Sequence, residues 1–184
     1  MSPEAASSAS EGEGAPEAPT PAVEALNKQH RRKDFLCAAA PELQEYLQKT
    51  ARQDSDRDAG QTFVAAFDNG TIVGYYTLSS LSIELQDLPQ DSQNRLPRYP
   101  VVPAAMLGRL AVDDRYARQG YGEFLLMDAF KRTARLSEQI AIYAVITEPR
   151  DEKARTFYEN FDFLAFPERT DRLFIPMKTV RKLF

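Results

Sequence analysis

Two short stretches of this 184-residue chain carry residue types whose spacing can do chemistry. The first, residues 107–126, reads LGRLAVDDRYARQGYGEFLL. An apolar strand ends at Val112, a loop brings Arg118-Gln119-Gly120-Tyr121-Gly122, and a helix begins there. Gly120 and Gly122 let the backbone approach a ligand with no Cβ in the way. The unpaired N–H groups at a helix start carry the positive end of its dipole and bind anions. Arg118 adds a charge that pairs with phosphate. The loop is no Walker A motif, since no Lys-Ser or Lys-Thr follows, and it lacks the third glycine of the dinucleotide fingerprint. The second stretch, residues 151–163, reads DEKARTFYENFDF. Ala154, Phe157, Tyr158 and Phe161 share one face of a short helix. Phe157 and Phe161 read as core. Tyr158 differs, because a buried phenol needs a polar partner. With a pKa of about 10 it is a poor base at neutral pH but a competent acid toward a departing thiolate of pKa about 8.5.

The elements that must position these groups follow from the pattern. Pro41 opens a helical stretch, residues 41–54, with Leu43, Tyr46, Leu47 and Thr50 on one face. Strands at residues 61–67 and 71–80 are joined through Asp68-Asn69-Gly70, residues that tolerate the positive φ of a tight hairpin. The Pro- and Asp-rich stretch 86–103 reads as a long loop. Residues 104–113 form a strand, and a helix runs from about Gly120 to Ser137 with Gly122, Leu125, Leu126, Ala129, Phe130 and Thr133 on one side. A buried strand over 139–147, a helix over 151–160 and a final strand over 173–179, with Pro176 near an edge, complete the chain. The fold class is mixed α/β, a sheet with helices on both faces. Residues 1–22, rich in Ala, Pro, Ser, Glu and Gly, read as a disordered acidic tail ahead of one domain, 23–184.

Composition removes several alternatives. One cysteine cannot form an internal disulfide, and the single histidine excludes a His pair. No Cys/His cluster suggests a metal. Cys37, in an apolar run, reads as a buried inert thiol, and His30, among Lys28, Arg31, Arg32 and Lys33, as a surface residue. No apolar run approaches the roughly 18 residues of a membrane helix, and no secretory signal is evident, so a cytoplasmic protein is expected. The formal charge of −4 conceals an asymmetry. Residues 1–24 hold five glutamates and no Lys or Arg, whereas residues 95–135 hold eight basic and four acidic groups. That balance suits a phosphate-bearing ligand or nucleic acid, or simply a solvated charged face.

The RQGYG loop followed by the FYENF helix resembles the GNAT superfamily of N-acetyltransferases. The stretches KDFLCAAAPELQEYL, VGYYTLSSLSIEL, LPRYPVVPAAMLGRLAV and ARTFYENFDF, with the closing IPMKTV, are similar to the TacT-type GNAT toxins of bacterial type II toxin–antitoxin systems. The similarity spans roughly residues 28–180. It implies a central, largely antiparallel twisted sheet flanked by helices, acetyl-CoA as co-substrate, no metal, and direct transfer of the acetyl group to an amine. On this resemblance the backbone of Leu110, Ala111 and Val112 holds the acetyl carbonyl. The loop Arg118, Gln119, Gly120, Tyr121, Gly122 and Glu123 grips the pyrophosphate, and Tyr158 protonates the leaving sulfur. Three departures stand out: Ala117 occupies a position where the family usually has Gln or Arg, Asp162 one where it often has Gly, and the acidic tail is not part of the pattern.

An α-amine, with a pKa of about 7.7–8.0, needs no dedicated base near neutrality, whereas a lysine at about 10.4 does. No His or evident Glu is placed to serve one. In the toxin family the acceptor is the α-amine of aminoacyl-tRNA, whose acetylation stops translation, and Arg95 and Arg98 are candidate tRNA contacts. The resemblance further implies a ribbon–helix–helix antitoxin as partner and a homodimer as a common assembly. A GNAT enzyme acting on a small-molecule or protein amine, and a non-catalytic acyl-CoA-binding protein, are the alternatives.

Overall fold

A computed structural model of the protein describes residues 20–184. Seven strands form one sheet in the order β1-β2-β3-β4-β5-β7-β6. They are β1 (Ala22–Ala25), β2 (Gln61–Ala66), β3 (Ile72–Glu84), β4 (Val101–Val112), β5 (Ala144–Thr147), β6 (Leu164–Ala165) and β7 (Leu173–Pro176). Every neighbouring pair is antiparallel except β4 and β5, which run parallel. That parallel pair needs a crossover, supplied by helix α4 (Tyr121–Leu136). α4 lies on one face of the sheet with α5 (Glu152–Glu159) and α6 (Met177–Val180), packing Leu125, Leu126, Phe130, Tyr158 and Phe163 into one apolar cluster. Gly74 lets α4 settle close, since a Cβ there would meet a Leu125 methyl at 2.7 Å and the Ala111 carbonyl at 2.8 Å. On the opposite face, α1 (Pro41–Glu45) and α2 (Ala51–Asp56) cover a second cluster containing Phe35, Leu47 and Tyr75. A third cluster, built on Ile83, Ile146 and Phe174, fills the far end and takes in Leu88 and Leu96, which flank α3 (Gln90–Gln93).

Several expectations are corrected by the structure. Residues 1–19 of the expected tail lie outside the described residues, but Ala22, its last residue, already pairs with Ala66 in β1. The helix over 41–54 is interrupted: Tyr46–Thr50 is a π-helical stretch between α1 and α2, and the Gln48 carbonyl there accepts from Arg32. The expected loop 86–103 is trimmed at its far end, because β4 begins at Val101, and it carries α3; β3 runs past the expected end at residue 80 to Glu84. Pro103 is tolerated inside β4 because its side of the strand, where its carbonyl accepts from Tyr143, lies just before β5 pairing begins at Ala104. Residues 139–143 are not strand, and the final strand ends at Pro176, after which Met177–Val180 is helical. β7 is an inner strand, yet Pro176 lies beyond the reach of β6, which pairs only with Leu173 and Phe174. The expected hairpin forms, with Gly70 at φ 81° and the Asn69 side chain accepting from the Thr71 N–H.

Candidate active site

Gly120 stands at the N-cap of α4 with φ 82°, a left-handed conformation that glycine adopts without a Cβ clash. No heavy atom lies within 4 Å of where its Cβ would be, so the space above the helix start is open. The first backbone bond of the helix runs from the Phe124 N–H to the Gly120 carbonyl. The N–H groups of Tyr121, Gly122 and Glu123 therefore have no acceptor among the described residues, and they converge on that opening. Arg118 is exposed at φ 61°, so the loop turns through two left-handed residues, one of them an arginine. Ala117 and Glu123 are exposed, and Tyr121 packs edge-on against Tyr116 at 6.2 Å. Gly122 faces the Phe157 ring, whose nearest atoms would be 3.7 Å from a Cβ, bringing the loop beside α5.

The loop leads in from a fork in the sheet. β5 pairs with β4 from Ala104 to Leu107 and then ends at Thr147, so β4 continues alone on that side from Gly108 to Val112. The register with β3 shifts at Gly108, between the pairs Leu78–Leu107 and Thr77–Arg109. The Asp113 N–H donates to the Val73 carbonyl, so alternation turns Ala111 and Arg109 toward β3. The backbone groups of Leu110 and Val112 consequently point into the open side of the fork. Among Leu110, Ala111 and Val112 the structure thus brings two to the gap and turns the third into the ladder, where it pairs with Tyr75.

Tyr158 lies at the crotch of this fork. It is 6% exposed and packs at 5.2 Å from both Phe157 and Phe163. Burial pushes its pKa up to about 12, while the adjacent Thr147 side chain draws it down. Thr147, the last residue of β5, also donates its hydroxyl to the Leu107 carbonyl at 3.0 Å, closing the sheet where the strands part. The phenol is therefore neutral at any physiological pH and holds a proton it can give. An apolar pocket that disfavours tyrosinate would also raise the pKa of a thiolate entering it.

Sequence reasoning missed two supporting groups. Thr147 has no local signature, being placed only by parallel register. Asp113 is fully buried and accepts from the Leu36 N–H, the Arg115 N–H and two guanidinium nitrogens of Arg115, at 2.7–3.0 Å. Burial alone would raise its pKa, but these donors outweigh it and hold the carboxyl below its ordinary value. Asp114 accepts from the Ala38 N–H, so the two aspartates pin the approach to the loop onto residues 36–38. Asp-Asp-Arg directly after a strand was the available signal. Arg150 spans from Glu42 at 2.9 Å to Asp151 at 3.0 Å, and Asp151 in turn caps α5.

The remaining predicted positions fall elsewhere. Arg95 and Arg98 are exposed at the tip beyond α3, at the end of the β3–β4 hairpin remote from the loop. His30 is not a surface residue: it is 6% exposed, and its ring bonds the Asn27 N–H and the Glu24 carboxylate. Lys28, Arg31 and Lys33 are exposed while the ring satisfies a turn. Cys37 is buried, and burial raises its thiol pKa. Asp162 takes φ 64°, so the turn after α5 keeps the left-handed form with an aspartate in place of glycine. Among the described residues no three His, Cys, Asp or Glu side chains gather into a metal-binding group, and no helix is long and apolar enough to cross a membrane.

A forked sheet, a helix N-terminus open to anions and a buried neutral phenol at the fork define an acyl-CoA-dependent transferase. Residues 24–163 match the Acetyltransferase (GNAT) family, and the chain belongs to it. It is 31% identical over 162 residues to a probable toxin TacT of Sinorhizobium fredii, covering 84% of this chain and 89% of that one. It is 34% identical over 143 residues to a tRNA-acetylating toxin of Mycobacterium tuberculosis, covering 78% and 84%. Among solved structures it resembles AtaT complexed with acetyl-methionyl-tRNAfMet, with TM-score 0.81, 27% identity and coverage of 89% and 98%. AtaTR bound with acetyl-CoA superimposes with TM-score 0.79, 26% identity and coverage of 90% and 98%. A tyrosine-to-phenylalanine mutant of the AtaT toxin, bound to the C-terminus of the antitoxin AtaR, gives TM-score 0.76, 25% identity and coverage of 89% and 96%.

Proposed function

We propose that this acetyltransferase is a toxin that transfers the acetyl group of acetyl-CoA to the α-amine of aminoacyl-tRNA and so blocks translation. The observation that carries the reading is the meeting, at one fork, of the unpaired Leu110 and Val112 N–H groups with the buried phenol of Tyr158. The names of its relatives supply the acceptor.

The α4 N-terminus, with the N–H groups of Tyr121, Gly122 and Glu123, the turn at Gln119-Gly120 and the charge of Arg118, would hold the pyrophosphate. Binding energy remote from the reaction then fixes the thioester. The N–H groups of Leu110 and Val112 supply the polar contacts along the open strand and stabilise charge developing on the acetyl oxygen. The neutral amine attacks, the C–N bond forms, and the C–S bond breaks as Tyr158 gives its proton to sulfur. The proton lost by the attacking nitrogen passes to solvent, and the tyrosinate left at Tyr158 takes one back from it, so amine and thioester become amide and thiol with the phenol restored. No base is required for an acceptor whose pKa is about 7.7–8.0.

The catalytic domain begins with β1 at Ala22 and runs to Phe184 in this reading, and the protein works in the cytoplasm, where charged tRNA is used. Its protein partners are a ribbon–helix–helix antitoxin and a second copy of itself, with Arg95 and Arg98 on the tRNA path. The test is transfer from labelled acetyl-CoA to charged tRNA, with uncharged tRNA and Tyr158→Phe as controls. Label on charged tRNA alone, with kcat lowered about 10²- to 10⁴-fold in the variant, is the expected result. Binding of acetyl-CoA with no label on tRNA would transfer the chain to the acetyltransferases of small-molecule or protein amines.

A further inference from the structure

We propose that Arg109 grips a phosphodiester at the acceptor end of the tRNA, on the face of the sheet opposite the coenzyme; this rests on the tRNA-acetylating reading above.

The alternation that sends the Leu110 and Val112 side chains to the α4 face sends Arg109 to the other. Leu110 and Val112 pack against the α4 cluster, whereas Ala111, two residues after Arg109, packs among Tyr46, Leu47 and Tyr75. The α4 N-terminus and Tyr158 both lie on the α4 face, so the coenzyme approaches the fork from there. The amine then has the α1/α2 face to enter by, and Arg109 stands at that mouth, one residue before the first open N–H of the fork.

Its guanidinium is held and unspent. The Cζ atom sits 3.7 Å from the centroid of the Tyr46 ring, which fixes the plane of the fork-shaped donor group. The Tyr46 hydroxyl donates to Asp54 at 3.0 Å and the Tyr75 hydroxyl to the Leu43 carbonyl at 2.7 Å, and neither phenol oxygen accepts a hydrogen bond from the guanidinium. Among the described residues Arg109 has no ion pair and no hydrogen bond, although it is only partly exposed. Arg115, Arg132, Arg150, Arg155, Arg169 and Arg172 each hold a carboxylate. A half-buried arginine with an oriented, empty fork is built for an anion that arrives from outside.

The chemistry of the acceptor says which anion. In an aminoacyl-tRNA the amino acid carboxyl is an ester and carries no charge. The negative groups nearest the amine are the phosphodiesters of the terminal nucleotides. Arg109 therefore reads the nucleic acid rather than the amino acid.

Two acceptors separate this from a structural role: charged tRNA, and an aminoacyl ester of adenosine, which presents amine and ribose without phosphate. For Arg109→Gln, kcat/KM on charged tRNA is expected to fall about 10- to 100-fold through KM, the worth of a hydrogen bond to a charged group. The ester of adenosine and the KM for acetyl-CoA should be unaffected. The slope of log affinity for charged tRNA against log salt should lose about one unit. Arg109→Lys, keeping charge but not the planar fork, should fall between. Equal losses on both acceptors, or an unchanged KM and salt slope on charged tRNA, would overturn this inference alone. A wild-type protein that binds acetyl-CoA and labels neither acceptor would overturn the functional reading and this inference with it.

Discussion

Replacing Asp113 by asparagine tests whether the loop is held by a buried charge. One carboxylate oxygen accepts from the Leu36 N–H at 2.9 Å and Arg115 Nη2 at 2.7 Å, the other from the Arg115 N–H at 3.0 Å and Nε at 2.8 Å. An amide turned either way sets an NH2 group against two of these four donors, one backbone and one guanidinium. A neutral hydrogen bond is worth about 1 kcal/mol and a charged one about 1.5–3. Because the Arg115 side chain is half-exposed, the lower end applies, giving a loss of about 2–3 kcal/mol. The carboxyl is held below its ordinary value in the fold. Its stabilisation is therefore complete above the unfolded pKa of about 3.9 and is lost as pH falls through the lower folded value. Urea titrations of wild type and variant at pH 7, 5 and 3 should show a gap of about 2–3 kcal/mol at pH 7 and 5 that narrows by pH 3. A gap under about 1 kcal/mol at pH 7, or one that does not narrow in acid, would refute the reasoning, since a well-made hydrogen-bond set costs more than that to break.

Two further outcomes follow from the site. Gly120→Ala meets no neighbour but must hold φ 82°, at a cost of about 1–2 kcal/mol. Calorimetric titration should show coenzyme A binding weakened about 5- to 30-fold, with kcat at saturation kept; unchanged affinity would uncouple the turn from coenzyme binding. With the Tyr158 phenol pushed up to about 12, the pH profile of kcat/KM should rise with the acceptor amine near pH 8 and stay level to pH 10.5. A falling limb near 10 would mean that the tyrosine is less buried in the working enzyme.

What the sequence made legible was local. The glycine loop, the helix after it and the Asp68-Asn69-Gly70 hairpin are written in neighbouring residues, and each formed where expected. Tyr158 was recognisable because a polar group sat on an apolar helix face. Thr147 and Arg109 were not, because their meaning comes from register: Thr147 matters only opposite Leu107, and Arg109 only because the shift at Gly108 sets which face it takes. β1 escaped notice because AVEA has neither alternation nor apolar length, and it is strand only by pairing with β2. Met177–Val180 misled in the opposite direction, since its β-branched residues extend the pattern of Leu173–Ile175 while the chain leaves the sheet at Pro176.

The π-helical stretch Tyr46–Thr50 has the arithmetic of a residue inserted into an ordinary helix. Excising one residue there, Lys49 for instance, would let the segment rewind as a continuous α-helix. Everything before the cut would then swing by about 100° around the axis relative to α2. Tyr46 lies on the wrong side of that cut from Ala51, so its ring would leave the guanidinium it now carries. The irregularity thus works as a phase setting between the two halves of one helix, with Ala51 and Leu47 seated in the core and an aromatic platform turned under β4 at the same time.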